Sequence, residues 1–170
     1  MELKFRKLRA DEIEVRVARV TDNGVQLLLY KDARCDMNIL DETVGPMDWK
    51  REHTRNNANC IVSIWDKDKE QWISKEDTGT ESFTQKEKGQ ASDSFKRACF
   101  NWGIGRELYT APFIWVPNNK AKVVNKKCND NFKVIKLTYT ENGAIDGLYI
   151  KNMTSNTDAF ICKPKEATKK

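Results

Sequence analysis

The sequence lacks the motifs on which nucleotide-binding enzymes and triad hydrolases depend. No G-x-x-x-x-G-K-[ST] loop is present to cradle the phosphates of ATP. Gly103-Ile104-Gly105 is only a G-x-G, and it closes an expected helix instead of opening one. A single histidine, His53, leaves little room for a Ser-His-Asp or Cys-His arrangement. We therefore expect a protein that is not an enzyme and that needs no cofactor.

Closely spaced cysteine pairs are also missing. None of the five cysteines belongs to a C-x-x-C pair, which argues against a structural zinc site: Cys35, Cys60, Cys99, Cys128 and Cys162. Five is an odd number for a disulfide framework, and several of these cysteines lie in apolar stretches, where cysteine behaves as a small hydrophobic residue. We expect no metal site and a reducing compartment such as the cytoplasm.

Long apolar runs are absent as well. Residues 1–7 lack the apolar core of a signal peptide, and no stretch has the length of a membrane span, so we expect no membrane partner. The 170 residues are 39% hydrophobic and 32% charged, which suits one domain with a real core and an ionic surface. The net charge of +5 is compatible with a polyanionic partner without requiring one.

Hydrophobic periodicity predicts three helices. Ile13, Val17 and Val20 recur at helical spacing, which favours a helix over residues 8–20 with Asp11 as its N-cap. A second helix is expected to begin at Asp32 and to end at Gly45-Pro46.

The third helix has the clearest signature. Thr84-Gln85-Lys86-Glu87 fits the S/T-x-x-E capping box, in which the two side chains satisfy free backbone donors at a helix start. An apolar stripe then runs through Phe95 to Trp102, and Gly103 suits the left-handed position after a helix.

Strand-like stretches fill most of the remaining chain. They cover residues 25–30, 49–55, 60–65 and 71–78, and a hairpin is expected from 132–140 and 145–152 around Asn142-Gly143, before a frayed tail at 163–170. The expected fold class is α+β, with an antiparallel three-stranded curved meander packed on a long helix. This β-β-β-α core would be preceded by a helix-strand-helix segment and followed by a C-terminal β-hairpin.

Positive charge lies on the face of the third helix opposite its apolar stripe, at Lys86, Lys96 and Arg97. Because Phe95 and Trp102 would anchor this helix in the core, Lys96 and Arg97 would be fixed cations, which suit contacts with backbone phosphates. The alternative is a solvated helix face on which Asp93 pairs with Arg97 at i, i+4.

Two further basic groups stand out. Arg16 and Arg19 form a pair on the first expected helix, on the side away from Ile13 and Val20. A lysine-rich segment that reads as a loop carries Lys120, Lys122, Lys126 and Lys127. Both groups can equally be ordinary surface charge.

A family resemblance emerges along residues 9–117. The segments that carry it are Gly79-Thr80-Glu81-Ser82, Ala91-Ser92-Asp93-Ser94-Phe95-Lys96-Arg97-Ala98 and Gly103-Ile104-Gly105-Arg106-Glu107-Leu108-Tyr109, with Tyr30 and Gly45-Pro46-Met47-Asp48-Trp49 upstream. They resemble the Rad fifty-two/Rad twenty-two superfamily of single-strand annealing proteins, in its phage (Sak-like) type. The resemblance would make residues 1–117 an annealing core domain. Residues 118–170, with the basic loop, hairpin and tail, are expected to be part of the same domain.

The resemblance implies a ring of subunits that holds single-stranded DNA in a positively charged groove, with the bases turned outward for pairing. Lys96 and Arg97 match the paired basic positions of that groove, and Tyr30 matches a tyrosine near it. A groove arginine corresponds to Arg16 or Arg19, and the spacing leaves both open. Phe100 stands where eukaryotic members often have a further arginine, for which Arg106 is a possible substitute.

The expected function is ATP-independent binding of single-stranded DNA and annealing of complementary strands in homologous recombination and DNA repair. The gene would be carried by a phage or prophage, and the protein would act in the cytoplasm of a bacterial host cell. Expected partners are single-stranded DNA, further copies of the chain, and a single-strand binding protein or an exonuclease. Two alternatives are a double-stranded RNA-binding-like module and a phage structural or interaction protein without a nucleic-acid role.

Overall fold

The structure is a computed structural model that describes residues 3–80 and 86–164, with the side chains of residues 86–88 outside the description. The chain divides into two compact units. A helix–sheet unit comprises Met1–Lys7 and Asp32–Arg106, and a six-stranded unit comprises Leu8–Lys31 and Glu107–Lys170.

The regular elements of the described residues are nine short strands and two α-helices. In chain order they are β1 (Ile13–Thr21), β2 (Gly24–Lys31), α1 (Ala33–Val44), β3 (Trp49–Thr54), β4 (Asn59–Asp66), β5 (Gln71–Thr78), α2 (Lys86–Trp102), β6 (Ile114–Pro117), β7 (Phe132–Tyr139), β8 (Ile145–Asn152) and β9 (Thr157–Cys162). Short 3-10 helices occupy Ala10–Glu12 and Arg106–Thr110.

The six-stranded unit is an antiparallel sheet that nearly closes on itself. Its strand order is β6-β2-β1-β7-β8-β9, and β6 approaches β9 without pairing with it. Along each strand, alternate side chains point to opposite faces, so one set fills the interior. The fully buried members of this set include Val25, Leu27, Val116 and Ile150.

The helix–sheet unit contains a three-stranded antiparallel sheet in the order β3-β4-β5. Helix α2 packs against β4 and β5, and α1 packs against α2 and β3. Phe95, Ala98 and Cys99 on α2 are fully buried, as are Cys60 and Val62 on β4. The apolar stripe predicted for α2 is therefore confirmed.

Helix α1 begins and ends as the sequence predicts. The Asp32 carboxylate accepts a hydrogen bond from the backbone N–H of Arg34 at 2.7 Å, which satisfies a free donor of the first turn. Gly45 follows the helix with a φ of +89°, a conformation that favours glycine, and its N–H donates to the Asp41 carbonyl.

The predicted α+β fold class is wrong. The described residues are mostly sheet, with a nearly closed six-stranded antiparallel sheet and a separate three-stranded sheet, and among them no core is built around a long helix. The C-terminal hairpin is real, but it is not an appendage, because β7 pairs with β1 and β8 pairs with β9. These pairings join residues more than 100 positions apart, as in Glu14 with Lys133, and local periodicity does not report them.

The predicted N-terminal helix over residues 8–20 is also wrong, because residues 13–21 form β1. Ile13, Val15 and Val17 alternate with polar residues, which is the period of a strand. The pairing with β2 then shifts between Val17 and Arg19. This shift is a β-bulge that returns Val20 to the interior face. Residues 13, 17 and 20 all point to the interior of the sheet, and their separations of four and three positions are the same as those on one face of a helix.

Several sequence predictions lie outside the described residues. They include Glu81 and Ser82 of the resemblance, Thr84 and Gln85 of the capping box, the side chains of Lys86 and Glu87, and residues 165–170 of the expected tail. Within the described part of the chain, neither helix combines the length and the apolar character that crossing a membrane requires.

Candidate nucleic-acid interface

The bulge in β1 places Arg16 and Arg19 on the same face of the six-stranded sheet. Three residues apart, they would point to opposite faces of a regular strand. Because Ala18 is the extra residue of the bulge, Arg16 pairs with Leu28 and Arg19 pairs with Gln26. Leu28 and Gln26 are two residues apart on β2 and share one face. Both arginines are exposed, so this is the outer face of the sheet.

Arg16 is held by two neighbours on that face. Its guanidinium carbon lies 4.7 Å from the centre of the Tyr30 ring, which is cation–π geometry. Its Nη2 lies 2.6 Å from Oε2 of Glu14. The tyrosine and the carboxylate therefore restrict the arginine to a defined position. Arg16, Arg19 and Tyr30, which the resemblance selected separately, come together here.

Strands β7 and β8 extend the same face with lysines. Lys133 pairs with Glu14 on one side and with Lys151 on the other, and Lys136 pairs with Tyr149. We call Arg16, Arg19, Lys133, Lys136 and Lys151 the basic face. Acidic groups are found at Glu14 and, on β9, at Asp158. Oδ1 of Asp158 accepts a hydrogen bond from the Tyr149 hydroxyl at 2.5 Å, and this bond raises the pKa of Tyr149.

An apolar strip lies beside the two arginines. Trp115 on β6 pairs with Gln26, and a Cβ atom added to Gly24 would lie 3.0 Å from Cζ2 of Trp115, so the indole packs over the glycine. Continuing the register of β2 and β6 by one residue places Phe113 opposite Leu28. Phe113 is 68% exposed and Leu28 is 41% exposed. We call Phe113, Leu28 and Trp115 the apolar strip.

The excess positive charge of the chain lies entirely in the six-stranded unit. That unit has 15 lysines and arginines against 10 acidic residues, whereas the helix–sheet unit has 15 of each. The net charges are therefore +5 and zero. A polyanion would be attracted by the unit that carries the basic face.

Lys96 and Arg97 lie in the neutral helix–sheet unit and face different neighbours. Lys96 is half-buried and interacts with the Asp32 carboxylate. The pKa of Asp32 is lowered chiefly by its hydrogen bonds from Arg34, with a smaller contribution from Lys96. Arg97 is exposed, and its Nε lies 3.3 Å from Oδ1 of Asp77. Arg97 therefore has the Asp77 carboxylate as a partner, whereas Lys96 lies near a carboxylate that Arg34 already binds.

The alternative pairing of Asp93 with Arg97 is not the one that the structure has. Oδ2 of Asp93 instead accepts hydrogen bonds from the Thr80 backbone N–H at 2.9 Å and from the Thr80 hydroxyl at 3.2 Å. Asp93 thus joins the start of the segment after β5 to α2, and Arg97 joins α2 to β5 itself through Asp77.

Arg106 covers the C-terminal end of α2. Its Nε donates to the Phe100 carbonyl at 2.8 Å and its Nη2 donates to the Asn101 carbonyl at 2.9 Å. A cation at the carbonyls of a helix C-terminus is favourable with respect to the helix dipole. The position of Arg106 is therefore explained by helix capping. The side chain of Lys86, the remaining predicted site residue, lies outside the described residues.

Sequence reasoning missed the lysines and aromatic residues of the six-stranded unit. Lys133 and Lys136 lie on β7, whose pairing with β1 is nonlocal, and Lys151 lies on β8, the next strand. A bulge at Ile135 brings Lys133 and Lys136 to one face. Ile135, the extra residue, is 44% exposed for the same reason. The exposed aromatic Phe113 between Pro112 and a short strand was the available signal.

The one neighbouring Cys–His pair does not form an activated nucleophile. Cys60 pairs with His53 across β3 and β4, but burial raises the pKa of the Cys60 thiol to about 11. The thiol is therefore protonated near neutral pH, whereas a nucleophilic cysteine needs a thiolate. Burial, with a contribution from Arg51, lowers the pKa of His53. Within residues 3–80 and 86–164, no group of three His, Cys, Asp or Glu side chains is arranged to hold a metal ion.

No family model, curated protein or solved structure matches the chain. The resemblance given by the sequence therefore stays a prediction.

Proposed function

We propose that the protein is a non-enzymatic single-stranded DNA-binding protein that anneals complementary strands without ATP, and that the basic face of the six-stranded unit is its DNA interface. The observation that carries the proposal is the bulge at Ala18, which brings Arg16 and Arg19 to one face beside Tyr30. Assembly into a ring, a role in recombination and repair, and a single-strand binding protein or exonuclease as partner belong to the same proposal.

The chemistry of this face suits a phosphate backbone. Arginine presents several N–H donors in a planar fork that matches phosphate oxygens, and lysine adds point charges. Such contacts provide affinity without sequence preference. Neutralising the phosphates of a bound strand also lowers its repulsion of a complementary strand, which is the physical requirement for annealing without ATP.

The test is a titration of a fluorescently labelled oligo(dT) by the protein, followed by anisotropy at several salt concentrations. The Arg16→Ala/Arg19→Ala variant should bind at least about a hundredfold more weakly at low salt, because it loses two charge-assisted bonds to phosphate that contribute roughly 1.5–3 kcal/mol each. Its slope of log affinity against log salt should fall by about 1.4, from roughly 0.7 for each of two lost contacts with a single strand.

A matched control removes two charges from the neutral unit. Arg34 and Lys67 are exposed and each pairs with one carboxylate, as Arg16 does. The Arg34→Ala/Lys67→Ala variant should bind oligo(dT) like the parent. Equal loss in both variants would mean that only net charge matters, and unchanged binding after removal of Arg16 and Arg19 would refute the interface. Annealing is read separately, from the rate at which complementary labelled oligonucleotides pair without ATP.

A second candidate, binding of double-stranded RNA, is favoured by one observation. The helix–sheet unit has the element order α1-β3-β4-β5-α2, and this order also occurs in double-stranded RNA-binding modules. The candidate predicts tight binding of duplex RNA that survives loss of Arg16 and Arg19 and disappears in a Lys96→Ala/Arg97→Ala variant. A duplex RNA arm in the same titration separates the two candidates.

A further inference from the structure

The outer face of β6, β2 and β1 repeats one arrangement twice. One row across the strands consists of Trp115, Gln26 and Arg19, and the register of β2 and β6, extended by one residue beyond the start of β6, gives a second row of Phe113, Leu28 and Arg16. Each row therefore has an aromatic side chain at the β6 end and an arginine on β1. Phosphate binding alone does not explain why an aromatic residue lies at the β6 end of each row.

The dimensions of this arrangement suit successive nucleotides. The rows are two residues apart along the strands, which is about 7 Å. Within a row, the aromatic residue and the arginine are two strands apart, which is roughly 10 Å between their backbones. The guanidinium of Arg16 lies over the Tyr30 ring and beside Glu14, so a phosphate bound there would lie on the β1 side of the apolar strip.

The exposure of the apolar strip also indicates a binding surface. Phe113 is 68% exposed although it is a large aromatic residue, and Leu28 beside it is 41% exposed. Exposed apolar groups that are contiguous and rimmed by polar residues mark binding surfaces. Because two arginines rim this strip, charge complementarity favours a ligand that combines flat apolar rings with negative charge.

We infer that one base of the bound strand stacks by its flat face on Phe113 and a neighbouring base on Trp115, while Arg16 and Arg19 hold the adjoining phosphates. The inference rests on the proposed function and deepens it, because it makes an unpaired strand the ligand. In a duplex the flat faces of the bases are covered by their neighbours, and the strip has nothing to stack on.

The test compares two ligands of equal length and charge, oligo(dT) and an abasic oligonucleotide with the same sugar-phosphate backbone. The parent protein should bind oligo(dT) more tightly than the abasic strand. Phe113→Ala should weaken oligo(dT) binding about fivefold to 150-fold, the range that loss of one base–aromatic stack produces. The same substitution should leave binding of the abasic strand unchanged. Phe113→Tyr keeps the ring and should retain the parent's preference.

The outcomes separate this inference from the proposed function. If the parent binds neither ligand, the proposed function fails. If Arg16→Ala/Arg19→Ala loses binding but the parent holds both ligands equally and Phe113→Ala binds like the parent, the basic face stands and base stacking is overturned. If Phe113→Ala changes the native mass of the protein and not its affinity for DNA, the strip is a protein–protein surface and the inference is again overturned. A melting temperature equal to that of the parent protein is the control that Phe113→Ala leaves the fold intact.

Discussion

Deletion of Ala18 provides a stringent test of the bulge that assembles the basic face. Removing one residue from a strand normally moves every side chain on one side of the gap to the opposite face. Ala18 is different because it is the residue without a partner on β2. Without it, Val17 still pairs with Leu27, and Arg19 still pairs with Gln26. The strand becomes regular, and both arginines keep their face.

The magnitude follows from what each deletion exposes or buries. Ala18 is exposed, so its loss removes little buried apolar surface, and the free energy of unfolding should change by no more than about 1 kcal/mol. Deletion of Val15 is the matched control. Either Glu14 or Arg16 must then face the apolar interior, and either Ile13 or Val17 must face outward. Exposing the aliphatic side chain costs roughly 1.5–3 kcal/mol, and burying an unpaired polar group costs about 1–3 kcal/mol more.

Thermal melts and oligo(dT) titrations of both deletion variants check this prediction. At roughly 2–4 °C for each kcal/mol in a chain of this size, removal of Ala18 should shift the melting temperature by less than about 4 °C. Removal of Val15 should lower it by about 5 °C or more, or prevent folding. The variant without Ala18 should also retain most of its DNA affinity. If the two deletions destabilise the protein equally, the assigned bulge is wrong, and with it the shared face of Arg16 and Arg19.

Two further predictions concern single side chains. Glu14→Gln removes the carboxylate that competes with phosphate for Arg16. The affinity for oligo(dT) at low salt should therefore rise about two- to fivefold, because a surface ion pair contributes up to roughly 1 kcal/mol. Weaker binding would show that Glu14 instead holds Arg16 in the position that binds phosphate. His53 has a folded-state pKa below 6.5, so the unfolded chain binds more protons just below that pH, and the free energy of unfolding should rise as pH increases towards about 7. His53→Gln should flatten this part of a denaturant-derived stability profile, and an unchanged profile would contradict the assignment.

Local signals in the sequence were sufficient for part of the fold. The cap at Asp32 and the glycine at Gly45 define α1, and Asn142-Gly143 between two alternating runs defines the β7–β8 hairpin. These features depend on residues within a few positions of one another. The closure of the six-stranded sheet depends on Glu14 meeting Lys133, and no local pattern specifies that pairing. The prediction of a core packed on a long helix was wrong for this reason.

The candidate site was predictable in its charges and not in its arrangement. Arg16 and Arg19 were selected from the sequence, but on a helix where β1 lies, whereas Tyr30 was selected on a strand, which is β2. The choice between Arg16 and Arg19 could not be made because the bulge, an irregularity of one residue, puts both on the same face. Lys133 and Lys151 carry no distinguishing sequence context, and they become candidates only because Lys133 pairs with Glu14 on β1 and Lys151 pairs with Lys133.

The uneven division of charge between the two units has a kinetic consequence. A chain with five excess positive charges in one unit and none in the other experiences a torque in the field of a polyanion, so that encounters occur preferentially through the charged unit. The association rate constant should therefore fall steeply with ionic strength. A base held by stacking is not screened by salt, so the lifetime of the bound state should depend on ionic strength less than the encounter rate does.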